Sequence, residues 1–102
     1  LQGTLDLLIL KTVARDALHG WAISKRIQEL SDEVLSVQQG SLYPALHRLE
    51  EAGWSTARWT TTETGRRARD YGLTAAGRKH LAAERREFDQ LILAIHKALN
   101  AT

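Results

Sequence analysis

Three arginines, Arg66, Arg67 and Arg69, stand within four residues just after the turn-forming triplet Glu63-Thr64-Gly65. Guanidiniums projected from a turn pair with phosphate oxygens or enter a narrow groove of negative potential. Earlier in the chain, the stretch GSLYPALHRLEEAG at 40–53 sets Leu42, Leu46 and Leu49, with Ala45 and Ala52, on one helical stripe. Its other face carries Ser41, Tyr43, Pro44, His47 and Arg48. Hydroxyls there can donate or accept at a base or phosphate, and an arginine can pair bidentately with guanine. The backbone N–H groups of Gly40 to Tyr43 add the positive end of a helix dipole. Gln39, just before this helix, and Lys25, pointing outward from the preceding one, join the candidates for nucleic-acid contact.

Charge distribution supports the same partner. The whole chain carries a net +2. Between Trp54 and Arg86, however, eight basic side chains face three acidic ones, a net +5, which leaves −3 on the remainder. A basic segment on a nearly neutral chain points to an anionic partner, nucleic acid first.

Catalytic chemistry finds little to work with. His19, His47, His80 and His96 are scattered, with no HxxxH or HExxH spacing, and there is no cysteine to supply a thiolate or a disulfide. Ser41 has no evident base. Glu50-Glu51 reads as a solvated helix end, with Glu51 spaced to pair with Arg48. Neither an enzyme, nor a cofactor, nor a metal site is therefore expected. The apolar run Leu5 to Leu10 is short and broken by Asp6, so no membrane span is expected. With no visible signal peptide, the chain is expected in the cytoplasm; its start at Leu1 is expected to be trimmed.

A chain of 102 residues, 43% hydrophobic and 25% charged, is long enough for one modest core. Hydrophobic spacing predicts a first helix from Thr4, as N-cap, to about Ala17. It carries two stripes: Leu5, Leu8, Ile9 and Val13; then Leu7, Leu10, Ala14 and Leu18. A helix apolar on two sides needs cover on two sides, which suggests a partner subunit against Leu7 and Leu10. The second helix spans about Gly20 to Ser31, with Ile23, Ile27 and Leu30 inward. The third is the stretch at 40–53, where Pro44 near the start loses at most one hydrogen bond and Gly53 stops the helix. Period-two alternation from Trp54 to about Thr61, and a return strand ending near Leu73, make a hairpin with a basic tip. Thr74 caps a last helix to about Asn100. Its seam of Leu81, Phe88, Ile92, Ile95 and Leu99 resembles a short coiled coil and is the dimer candidate.

The expected fold is mainly α with a small β-hairpin: a winged helix-turn-helix over 1–74, its wing at about 54–73, then a dimerisation helix over 75–102. A helix-turn-helix places its second helix in the major groove of DNA. The competing reading is a winged-helix protein-interaction module that binds no DNA.

GTLDLLIL at 3–10, HGWAISKRIQ at 19–28, GSLYPALHRLEEAGW at 40–54 and RRARDYGLTAAGRK at 66–79 together resemble the PadR family of bacterial transcriptional regulators, over nearly the whole chain. The single last helix resembles the branch without a large C-terminal domain. The resemblance implies a repressor that binds a pseudo-palindromic operator as a homodimer and responds to a small-molecule effector. It carries over Tyr43 as a DNA-backbone contact and Arg66 and Arg67 as wing contacts. Trp21 stands where the family commonly has tyrosine, and an indole N–H can donate to phosphate but not accept. Some members take planar aromatic compounds at the dimer interface through a tryptophan of the last helix. Here Phe88 is the aromatic on that helix and the tryptophans are Trp21, Trp54 and Trp59, so the effector class stays open.

Overall fold

The computed structural model describes residues 2–102. Three helices come first: α1 (Gln2–Arg15), α2 (Gly20–Leu30) and α3 (Gln39–Glu51). Between α1 and α2 lies a two-residue strand, β1 (Leu18–His19). Strands β2 (Ser55–Thr61) and β3 (Arg67–Leu73) form the hairpin, and α4 (Ala75–Leu99) closes the chain.

One core joins these elements. It takes Ile9, Leu10 and Val13 from α1, Ile23 and Ile27 from α2, Leu42, Ala45, Leu46 and Leu49 from α3, and Tyr71 from β3. Each large aliphatic side chain removed from water stabilises the fold by about 1.5–3 kcal/mol, which makes this the main cohesive term. The buried hydroxyl of Thr12 donates back to the carbonyl of Leu8 at 2.6 Å, so it enters the core satisfied. Burial raises the Tyr71 phenol above its ordinary pKa, with the Arg69 charge opposing, so the ring is a neutral member of the core.

Several expectations change. Thr4 lies inside α1, which is already helical at Gln2, and is not its N-cap. The helix ends at Arg15, because Leu18 and His19 leave it to pair with Tyr71 and Asp70 of β3. The sheet therefore has three antiparallel strands in the order β1-β3-β2, one more than the hairpin alone. Leu30, expected inward, is 68% exposed, since α2 outruns the elements that cover Ile23 and Ile27. Leu10, expected to face a partner, is 1% exposed within its own chain and has no surface left to give one.

The end of α2 is held in an unusual way. Asp32 and Glu33 have φ of 51° and 69°, the left-handed region that disfavours side chains. The bond from Glu33 N–H to the Gln28 carbonyl at 2.9 Å, and the Ser31 hydroxyl accepting from Leu35 N–H at 3.0 Å, hold the turn. Asp32→Gly removes the steric penalty at one position. It is expected to raise stability by about 0.5–1 kcal/mol, a few degrees in melting temperature. A lower melting temperature would contradict this account.

The hairpin and α4 meet at a tight junction. Gly53, at φ 80°, ends α3 in the left-handed conformation that only glycine adopts freely. The Thr74 hydroxyl donates to the Gly53 carbonyl at 2.7 Å and accepts from Gly77 N–H at 2.8 Å, capping α4 as expected. The ring of Trp54 stacks on His80 with centroids 3.4 Å apart. Beyond this junction α4 runs along α1 and then projects: every residue from Asp89 to Thr102 is exposed. The radius of gyration is 15.1 Å, against about 13 Å for a compact chain of this length.

Candidate nucleic-acid interface

The site begins at the start of α3. Gln38 is extended and its side chain makes no cap, so the N–H groups of Gln39 and Gly40 have no acceptor among the described residues. The first helical bond runs from Leu42 N–H to the Gln38 carbonyl at 2.9 Å. Pro44 is thus the sixth helical residue, and the bond it forgoes is the one to Gly40. Leu42, Ala45, Leu46 and Leu49 bury one side of α3, which turns Gln39, Ser41, Tyr43, Pro44 and His47 outward, all exposed.

Tyr43 links this helix to the next element. Its ring lies over Gly20 so closely that a Cβ added there would sit 2.6 Å from the phenol oxygen. Glycine at position 20 is therefore what lets the tyrosine rest on the first turn of α2. Beside it Trp21 is 58% exposed and stacks loosely on His19, centroids 6.4 Å apart. Lys25 follows one turn further along the same helix, also exposed.

Next to Trp21 opens a cleft of about 830 Å³ between α2 and the hairpin. Its walls include His19, Trp21, Thr61 to Thr64, Arg66 and Arg67. The hairpin turn is ordered by Arg66 N–H on the Thr62 hydroxyl at 3.1 Å and Thr62 N–H on the Arg66 carbonyl at 2.8 Å, with Gly65 at φ 83°. Arg66 and Arg67 are exposed at its end and form no ion pair among the described residues. An unbroken surface thus runs from the amides of α3 through Tyr43 and Trp21 to two unneutralised guanidiniums. A segment of sugar-phosphate backbone matches that sequence of groups in charge and hydrogen-bonding type.

Two arginines from the sequence reading are placed differently. Arg48 Nη2 donates to Asp6 of α1 at 3.0 Å, which commits the guanidinium to holding α1 against α3. Arg69 Nη2 likewise donates to Glu50 of α3 at 3.0 Å, so it anchors the hairpin base. Each carboxylate lies far away in sequence, and no local spacing announces the pairing. Glu51, expected beside Arg48, instead meets His47 at 2.6 Å, one turn apart on the solvent side. Trp59, known from the sequence only as one of the three tryptophans, had no expected part in the interface. It is 58% exposed, with the guanidiniums of Arg67 and Arg69 at 4.7 Å and 5.5 Å from the ring centroid.

The residues expected between two copies divide into three groups. Leu10 is core. Leu7, Leu81 and Phe88 line a groove of about 450 Å³ between α1 and α4, rimmed by Lys11, Arg78 and Arg85. Ile92, Ile95 and Leu99 lie on the projecting half of α4, exposed together with Leu91 and Leu93.

Three helices, an antiparallel wing and a long final helix make this a winged helix-turn-helix protein. Its relatives narrow the class. The sequence pattern of the PadR-like family of transcriptional regulators matches residues 9–83, and the chain belongs to that family. It is 37% identical over 90 residues to the transcriptional regulator Rv3488 of Mycobacterium tuberculosis, covering 88% of this chain and 80% of that one. A crystal structure from Streptococcus mutans superposes with a TM-score of 0.85 at 29% identity, covering 99% of this chain and 91% of the other. A PadR family transcriptional regulator from Eggerthella lenta gives 0.82 at 26%, covering 98% and 85%. The protein is thus a transcriptional regulator of the PadR family. No helix among the described residues is long and apolar enough to cross a membrane.

Proposed function

We propose that this regulator is a sequence-specific DNA-binding repressor that occupies a pseudo-palindromic operator as a homodimer and is released by a small-molecule effector. Residues 1–74 form the DNA-binding unit and residues 75–102 the dimerisation helix. The observation that carries the reading is the continuity of the α3 amides, Tyr43, Trp21 and the unpaired Arg66 and Arg67. Ser41, Tyr43, Pro44 and His47 enter the major groove, with Gln39 at its edge. Trp21 and Lys25 meet the flanking backbone, and the wing tip meets the backbone beyond. Arg48 and Arg69, held by Asp6 and Glu50, act by setting the angles of α3 and the wing.

The dimer assignment rests on the second half of α4. A solitary helical stretch of about a dozen residues is marginal in water. The apolar side chains there need cover, and an identical α4 supplies it.

The test is binding to a mixed-sequence duplex and to the duplex enriched from a random library, each followed across salt. Arg66→Ala with Arg67→Ala is expected to weaken both about 10- to 30-fold. The slope of log affinity against log salt should fall by about 2, since each lost phosphate contact removes about 0.9. Equal affinity and slope in the double variant would favour the protein-interaction reading and remove the wing from the interface.

A further inference from the structure

Trp59 lies outside the hydrophobic core, exposed, with two guanidiniums against its ring. Register explains where it stands. Ser55, Ala57, Trp59 and Thr61 share one face of β2, opposite Leu73, Tyr71, Arg69 and Arg67 of β3. The inner end of that face, Ser55 with Ala57 and Tyr71, meets the core. Its outer end clears the core and carries Trp59 and Arg67. Between the two, Arg69 is tied to Glu50, so the platform lies on the α3 side of the sheet.

Arg67 has one aromatic neighbour there. Its guanidinium sits over the Trp59 ring, 4.7 Å from the centroid, and the residue is exposed near the hairpin tip. A free arginine on a hairpin tip carries about 2 kcal/mol of rotamer entropy, much of which is lost on contact with a ligand. A cation over an indole face loses part of that freedom beforehand, with an attraction of about 0.5–1 kcal/mol at an exposed site.

We infer that Trp59 is a positioning residue for DNA binding: its indole holds the exposed Arg67 guanidinium in place near the hairpin tip, ready for the phosphodiester backbone. The inference rests on the DNA-binding reading and adds to it a residue and a role. Arg69, already paired with Glu50, also lies against this ring, its guanidinium 5.5 Å from the centroid, and so ties the indole to the hairpin base.

A double-mutant cycle on the intact protein tests it, using fluorescence anisotropy with a 30-base-pair mixed-sequence duplex at low salt. Trp59→Leu keeps the apolar bulk and removes the π face; it is expected to weaken binding about 3- to 5-fold, the cation–π attraction expressed as affinity. Trp59→Phe keeps a π face and should stay within about 2-fold of the parent. Arg67→Ala is expected to weaken binding about 10-fold, and adding Trp59→Leu to it should bring no further loss, because the indole then has nothing to hold. Melting curves of all variants should coincide within a few degrees, the ring lying outside the core. Losses that multiply in the double variant, or an unaffected Trp59→Leu, overturn the inference. If Arg66→Ala with Arg67→Ala also leaves affinity intact, the DNA-binding reading itself falls. Loss in that variant with none in Trp59→Leu removes only the role of Trp59.

Discussion

Gly77→Ala is expected to lower folding stability by about 3 kcal/mol, a drop of order 15 °C in melting temperature at fixed protomer concentration. Alanine is ordinarily the better helix former by about 1 kcal/mol, so helix propensity alone predicts the opposite sign. The difference comes from the junction of β2 and α4. A Cβ on Gly77 would run into the carbonyl oxygen of Trp54 and stand 2.8 Å from Leu73 Cδ1. That carbonyl cannot step aside cheaply, because it accepts from Thr74 N–H at 3.1 Å. Trp54 is further held by its ring on His80. Relief therefore requires α4 to lift from the hairpin, breaking the Thr74 cap. A melting temperature unchanged or raised in Gly77→Ala would show that the junction is looser than this packing.

The second large effect concerns assembly. Under the proposed homodimer, Ile92→Glu with Ile95→Glu is expected to convert a dimer at about 10 μM into a monomer in light scattering. Each isoleucine removed from an apolar seam forfeits about 1.5–3 kcal/mol, and the introduced carboxylates oppose burial. The dimer dissociation constant should rise at least about a thousandfold, or roughly 4 kcal/mol. The folded core is expected to survive, since both positions lie on the exposed half of α4 and outside the core cluster. Affinity for a two-half-site operator should fall at least about 100-fold, while a single half-site is bound much as before. A parent protein already monomeric at that concentration would refute the dimer.

Local sequence carried much of the architecture. Alternation after Trp54, the stop at Gly53 and the cap at Thr74 are each encoded within a few residues, and each falls where the spacing predicts. The leucines of α3 turn inward on one stripe for the same reason, which leaves Ser41, Tyr43, Pro44 and His47 outside. The strand at Leu18 and His19 was not legible, because two residues are too few to show a period and pair with a strand fifty residues away. Leu10 and Leu30 mark the other limit. Both belong to regular apolar stripes, yet one is fully covered and the other bare, because cover depends on which neighbours reach that turn.

The same division runs through the site. Residue types and spacing alone determined a helix-turn-helix with a basic wing, since helix periodicity, strand alternation and turn chemistry act over distances of a few residues. Only the tertiary structure decided which arginines remain available. Arg48 and Arg69 meet carboxylates 42 and 19 residues away, while Arg66 and Arg67 do not. It likewise decided that Gly20 is a seat for Tyr43 and that Trp59 lies beneath Arg67. Charge and contact are set by separation in space, and nearest neighbours along the chain carry no record of that distance.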